Sequence, residues 1–370
     1  MRRLLSILLV LGLVLSFSLL TAVPAQGATY NVPGDFSTIQ AAITAASYGD
    51  TIYVAAGSYN ETIDLADGVN VLGEGAGTII DGFGLSGSVV DASSTSSGTT
   101  FSGFTIRNGQ AGYGGGMYLD DSSLTVSSCT FTTNSATYYG GGMYILDSSS
   151  PVVANCVFQD NTASQFHGGG ICCWNSSPII VNNTIVNNTT DDNGGGIYAS
   201  PTSSPTITNN IIVSNTATNG GGIYSATATS LPTSYNDVWD NNPNEYYNCT
   251  PSNSISLDPV FNDAQYHIIY PDSPCIDVGD NTAADDAGLT TDFEGDPRIF
   301  DGDDDGTDTV DMGADEYYVA PPPPPPSPHR TVGGEVYPID KTALLLPWLI
   351  AGAALILAAS GLILIRRQAR

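Results

Sequence analysis

The chain has 370 residues, with nine Lys and Arg against 37 Asp and Glu and a formal net charge of −28. All the acids lie between Asp35 and Asp340, where only Arg107, Arg298 and Arg330 oppose them; this excludes nucleic acid as a partner and disfavours anionic polysaccharide or lipid unless cations bridge. With 41 Gly and only 12% charged residues, the composition is turn-rich and β-leaning, unlike that of a helical enzyme or a coiled coil.

Residues 1–27 read as a signal peptide. Arg2 and Arg3 form a basic start, Leu4–Leu20 is apolar, and Ala22-Val23-Pro24-Ala25 supplies the small residues of a cleavage site. Next, Ser37-Thr38-Ile39-Gln40 predicts a helix start of the capping-box kind. Ile39, Ala42, Ile43 and Ala46 follow on one helical face, suited to covering the first turn of whatever comes after.

Internal repeats then dominate. Gly-Gly-Gly strings begin at Gly114, Gly140, Gly168, Gly194 and Gly220, spaced 26, 28, 26 and 26. Asn108, Asn134, Asn161, Asn188, Asn215 and Asn242 recur every 26 or 27 residues, with Phe131, Phe158, Ile185, Ile212 and Trp239 three places before the later five. Each repeat holds short β-prone runs split by Gly or Asn and has no room for a helix. A period of this length is one rung of a β-solenoid, with like positions stacked about 4.8 Å apart. The six asparagines are therefore expected to form one structural ladder of stacked amides, and the Phe/Ile/Trp column to fill the interior. The Gly triplets would serve corners that need positive φ or have no space for a Cβ. About eight rungs fit in residues 28–256, and the excess near Ala163–His167 reads as a loop insertion. Cys129 and Cys156 share a register and are expected to be stacked interior thiols.

Residues 257–318 form an acidic segment, expected to be a C-terminal capping module. Thirteen acids fall between Asp285 and Glu316. Asp301-Gly302-Asp303-Asp304-Asp305-Gly306 has the 1, 3, 5 carboxylates and the Gly at 6 of a Ca²⁺ loop. Asp301, Asp303, Asp305, Thr307 and Asp311 are the candidate ligands, and Ca²⁺ the candidate ion. Position 12 is Met312, so this is not a complete EF-hand. Cys249 and Cys275, both after the repeats, are the candidate disulfide.

Residues 319–342 are a linker containing Pro321–Pro326, a polyproline II spacer. Residues 343–365 carry no charge over a length of about 34 Å as a helix, enough to cross a bilayer. Arg366, Arg367 and Arg370 lie in the 366–370 tail. They predict a single-pass cell-membrane protein with its N-terminal ectodomain extracellular and its C-terminus cytoplasmic.

The stretches Asp35-Phe36-Ser37-Thr38-Ile39-Gln40 and Gly49-Asp50-Thr51-Ile52-Tyr53-Val54 resemble the opening of the pectin-lyase-like superfamily. That resemblance implies an all-β, right-handed parallel β-helix. The Gly-Gly-x-Ile and Phe-x-x-Asn repeats, as in Phe131-Thr132-Thr133-Asn134, resemble polymorphic outer-membrane adhesins. Those proteins carry an autotransporter barrel that this sequence lacks. Leu257-Asp258-Pro259-Val260-Phe261, Ser273-Pro274-Cys275-Ile276-Asp277 and Val310-Asp311-Met312-Gly313 resemble a module that ends bacterial surface β-helices ahead of an anchor.

Enzymes with this fold set requirements that can be checked. A lyase needs a Lys or Arg base, yet residues 28–340 contain no Lys and the repeats hold only Arg107. A related hydrolase needs several Asp, a His and an Arg-x-Lys clamp. Asp120-Asp121, Asp160, Asp191-Asp192 and His167 are present, and the clamp is not. Tyr118, Tyr144, Tyr198 and Tyr224, with Cys172 at the third place, recur on successive rungs facing outward and are the candidate ligand-binding column. Adhesion or recognition of a carbohydrate or other cell-surface ligand is therefore the expected function. A polysaccharide hydrolase or lyase is the alternative, and a passive envelope spacer the third reading. The oligomeric state is left open.

Overall fold

The computed structural model describes residues 27–261 and 270–318. The signal peptide, the Pro-rich linker, the 343–365 span and the tail lie outside the described residues, apart from Gly27. Among the described residues no helix is long and apolar enough to cross a membrane.

The chain winds as a parallel β-solenoid of about eight turns. One rung shows the plan. Thr125–Ser127 belongs to a first sheet, Thr130–Thr132 to a second, Ser135–Tyr139 to a short sheet, and Met143–Leu146 to a third. Each strand pairs in parallel with its counterpart one rung on, giving sheets of ten, eight, four and eight strands. Strand alternation sends every second side chain inward. Phe131 sits over Ile106 and under Phe158, Ile185, Ile212 and Val238 in turn. The Phe131 and Phe158 rings stack at 4.7 Å and 3°. Continuous columns of this kind leave one elongated core whose members are almost wholly inaccessible.

The amide ladder lies at the corner between the second sheet and the short sheet. Asn134, Asn161, Asn188 and Asn215 are stacked there, each Nδ2 donating to the next Oδ1 at 2.9–3.0 Å. Each Nδ2 also donates to a backbone carbonyl in the rung before: Asn188 to Phe158 at 2.9 Å, Asn161 to Phe131 at 2.8 Å. The two terminal members differ from expectation. The last rung is one residue shorter, so Asn241 receives the Asn215 amide and Asn242 pairs instead in the Thr216 register. The same slip turns Trp239 outward and puts Val238 in the core. At the other end Gly109 holds the ladder position, its N–H donating to Asn134 Oδ1 at 2.9 Å. Asn108 stands one place earlier at φ 59° and donates to Asp81 instead. A side chain at Gly109 would collide with the Gly115 carbonyl, so the ladder cannot extend there.

A second ladder, Asn183–Asn210–Asn236, runs through the corner between the first and second sheets. Cys156 precedes it, its N–H donating to Asn183 Oδ1, and Cys129 lies one rung further back, both thiols free and buried. The Gly triplets divide their roles. The first glycine of each has φ between 55° and 73°. At the second, as in Gly141, a Cβ would stand 2.5 Å from the Gly169 carbonyl oxygen of the next rung.

Helix α1 (Ile39–Ala45) covers the amino end with Ile39, Ala42 and Ile43 buried. Its N-cap is Thr38, which accepts from Ala41 N–H. The remaining free N–H groups of Ile39 and Gln40 donate to the Glu61 carboxylate at 2.9 and 3.0 Å, a long-range partner that replaces the local capping box.

The acidic segment folds around a short helix, α2 (Asn281–Asp286). Its described contacts run along the flank of the solenoid, at the corner of the first and second sheets. Asn155, Asn182 and Asn209, all with φ of 50–58°, point their amides outward to the carbonyls of Thr291, Asp311 and Asp280 at 2.7–3.0 Å. Val186, Ile211 and Val213 on the outer face of the second sheet pack with Cys275, Ile276 and Met312. The segment is thus a flank clasp, whereas an end cap was expected.

Candidate functional site

The third sheet alternates Met117 and Leu119 inward with Tyr118 and Asp120 outward. Its outward column runs Asp91, Tyr118, Tyr144, Cys172, Tyr198, Tyr224, Tyr247. The four predicted tyrosines therefore face away from the coil on one column. Tyr144 and Tyr198 are nevertheless only 4% exposed. They are covered by aromatic residues of which the sequence singled out only His167, and that for a different role. Tyr139 lies 5.6 Å from Tyr144 and 5.2 Å from Trp174, and Phe166 lies 5.3 Å from Tyr139. His167 stacks on Tyr198 at 4.1 Å and 14°. Tyr138-Tyr139 and Phe166-His167 each stand directly before a Gly triplet, a shared position that could have identified them.

The result is a second hydrophobic cluster outside the coil, with Cys172 buried in it. Tyr198, Tyr224 and Tyr247 stack in succession at 5.5 and 4.5 Å with ring planes 8° apart. Ring faces therefore meet one another along the column. The solvent meets ring edges and hydroxyls, plus the more open rings of Tyr113, Phe166 and Tyr247 (43%, 38% and 44% exposed). Burial raises the phenols of Tyr144 and Tyr198 well above their ordinary range, keeping them neutral donors.

Acids flank this surface. Burial, then Asp147, Asp121 and Asp91 nearby, raise the Asp120 carboxyl. His167 Nδ1 lies 3.2 Å from Asp192 Oδ2. Burial lowers the imidazole and Asp192 partly offsets this. Asp120-Asp121, Asp160 and Asp191-Asp192 occupy three different corners of the cross-section.

In the acidic loop the carboxylates that come together are only partly those predicted. Asp277, Asp301 and Asp303 bring carboxylate oxygens within 4.8 Å of one another. Asp277 lies in a separate segment, and only the Ser273–Asp277 motif drew attention to it. Asp301 also accepts from Asp305 and Gly306 N–H, and Asp305 accepts from Thr307 N–H, which shapes the loop without adding those two residues to the cluster. Asp311 is buried elsewhere, accepting from the N–H groups of Asp277 and Tyr317 at 2.7 and 2.6 Å. Burial, followed by Asp303 and Asp301, pushes Asp277 up to about 6.

Cys249 and Cys275 are both free. Cys249 packs against the inner core, while Cys275 lies outside the second sheet, 3.3 Å from Asp237 Oδ2. A sheet wall separates them, so the predicted disulfide does not form.

The clasp carries buried carboxyls whose titration has a readable sign. Burial above all pushes Asp311 up to about 7, Asp315 to about 9 and Glu316 to about 10; the Asp292 carboxylate adds to the shift at Asp315 and Asp311 adds to that at Glu316. In the unfolded chain such groups titrate near 4. Their stabilising contribution is therefore complete below about pH 4 and lost as pH rises through those folded values. The clasp is expected to melt at a higher temperature at pH 5 than at pH 9; a profile that falls on acidification over that span would refute the assignment.

Residues 88–258 match the family model described as the right handed beta helix region. Solved structures similar to this chain include a pectin methylesterase in complex with a hexasaccharide (12% identity, 60% of this chain and 80% of that one, TM-score 0.37). Others are pectin methylesterase from Yersinia enterocolitica (15%, 60% and 90%, 0.39) and PemA from Erwinia chrysanthemi (11%, 62% and 89%, 0.39). So distant a likeness carries nothing about activity. A search of curated proteins finds no match. The fold is a right-handed β-helix.

Proposed function

We propose that this is a cell-surface recognition protein that binds carbohydrate through the aromatic outer face of its third sheet, without catalysis. The observation that carries the reading is the aromatic column from Tyr118 to Tyr247, interrupted only by Cys172 and bordered by the open rings of Tyr113 and Phe166. Ring edges and phenols offer apolar contact and hydrogen bonds together. Arg107 is tied to Asp81 at 2.8 Å and Arg298 is buried, so the described surface has no free cation to hold an anionic glycan. The N-terminal signal and the 343–365 span would hold the β-helix outside the cell. The test is a glycan array probed with the full chain. Retention that falls about tenfold in Tyr247→Ala supports the reading. Turnover of a glycan would favour the polysaccharide-active alternative, and neither retention nor turnover would leave a spacer.

Calcium belongs to the same proposal. Asp277, Asp301 and Asp303 fit a hard cation, since Asp277 Oδ1 has no hydrogen-bond partner and the three acids repel one another without a counter-charge. Adding Ca²⁺ after chelation is expected to raise the melting temperature of the clasp, and Asp277→Asn to abolish that rise. An unchanged melting temperature in the wild type removes the ion from the proposal.

A further inference from the structure

A second site lies away from the aromatic column. Between the clasp and the outer face of the second sheet is an open cleft of about 740 Å³, within the range of roughly 300–1,000 Å³ typical of small-molecule sites. Its floor is polar. Because Phe131 points into the core, Thr130 and Thr132 on the same strand point out, and Gln159 follows Thr132 one rung on. Its wall is a tight turn in which Asp292 Oδ1 accepts from the N–H groups of Glu294, Gly295 and Asp296 at 2.7–2.9 Å. The turn presents Phe293 and Glu294 to the cleft and is pinned to the coil through Asn155 and the Thr291 carbonyl. Glu74 lines the cleft as well.

We propose that this cleft binds a neutral sugar ring. Phe293 offers an apolar ring wall, Thr130, Thr132 and Gln159 offer hydroxyl and amide groups to sugar hydroxyls, and the carboxylates of Glu74 and Glu294 accept from them. No basic residue lines the space. The nearest in the column, Arg107, is held by Asp81. A uronate would therefore meet two like charges, and an apolar ligand would strand the hydroxyls of the floor. The site goes beyond the aromatic face and stands or falls separately from it.

The test is saturation-transfer NMR on the full chain with glucose, galactose and mannose, with galacturonate as the acidic and glucosamine as the cationic control. At least one neutral hexose should bind. Phe293→Leu, which keeps apolar bulk and loses the ring, and the double variant Thr130→Val, Thr132→Val should each weaken that binding about tenfold. Tyr247→Ala should leave it unchanged, and melting curves should show all variants folded. The proposal is overturned if no neutral hexose binds, if galacturonate or glucosamine binds as well as the best hexose, or if both cleft variants bind like the wild type. Loss of hexose binding in Tyr247→Ala alone would move the sugar to the aromatic face and equally overturn the cleft.

Discussion

Arg298→Leu is expected to release the clasp from the solenoid at a cost of about 3–5 kcal/mol, the loss of three charge-assisted hydrogen bonds made by a buried guanidinium. Arg298 is 1% exposed, and its guanidinium donates to three backbone carbonyls, those of Ala314, Asp311 and Gly313, at 2.8–3.1 Å. Its Nε lies 3.6 Å from Glu316, whose side chain is equally buried. Leucine would take one donor from each of the three carbonyls, of which Asp311 and Gly313 keep Asn182 and Ala314 keeps the Phe293 N–H, and would leave Glu316 beside Asp311 with no donor between them. Lysine is expected to rescue little, because a single ammonium cannot reproduce the planar fork. Limited proteolysis would show new cleavage within residues 270–318 while the coil itself resists. Unaltered resistance in the leucine variant would mean that the clasp is held by its apolar contacts alone.

Asn188→Ala is expected to cost about 2–4 kcal/mol from the coil, through unpaired buried groups more than through lost volume. The Asn188 side chain donates to the Phe158 carbonyl and to Asn215, and accepts from both the N–H and the Nδ2 of Asn161 at 3.0 Å. Alanine leaves a carbonyl and two donors of the preceding rung without partners in a dry interior. Aspartate is expected to be worse, since it cannot donate to Phe158 and brings a charge into the column. Asn108→Ala should cost only about 1 kcal/mol, set by its left-handed φ, its bond to Asp81 and an exposed one from the Thr133 hydroxyl. Thermal melting of the three variants gives the order directly, and equal losses at Asn108 and Asn188 would contradict the ladder as described.

The coil was legible because its periodicity is enforced by stacking. A residue type that must hydrogen-bond to its own kind one rung away has to recur, and Asn134 to Asn215 do. The ends were less legible because stacking loses one neighbour there. Neighbouring asparagines at 241 and 242 look alike in sequence, and only the shortened last rung selects the first. The outward Asn155, Asn182 and Asn209 and the inward Asn183, Asn210 and Asn236 are separated by one position and by the sign of φ, which spacing alone does not reveal. The candidate site was half legible. The tyrosine column follows from strand alternation, but its cover comes largely from aromatic residues before three of the five Gly triplets, a repeat too short to stand out beside the longer Asn and Gly columns. Asp277 and the Glu61 cap are long-range partners, joined to their sites by folding alone.

The clasp grips three consecutive coils through Asn155, Asn182 and Asn209, and this row of amide contacts begins at Asn155. Whole turns can therefore be gained or lost toward the amino terminus without disturbing the grip, provided each carries its complement of stacking residues. Toward the carboxyl terminus the same change would slide the three amides out of step with the carbonyls that receive them. The shaft is extensible at one end only, and its reach and its fastening are free to diverge independently.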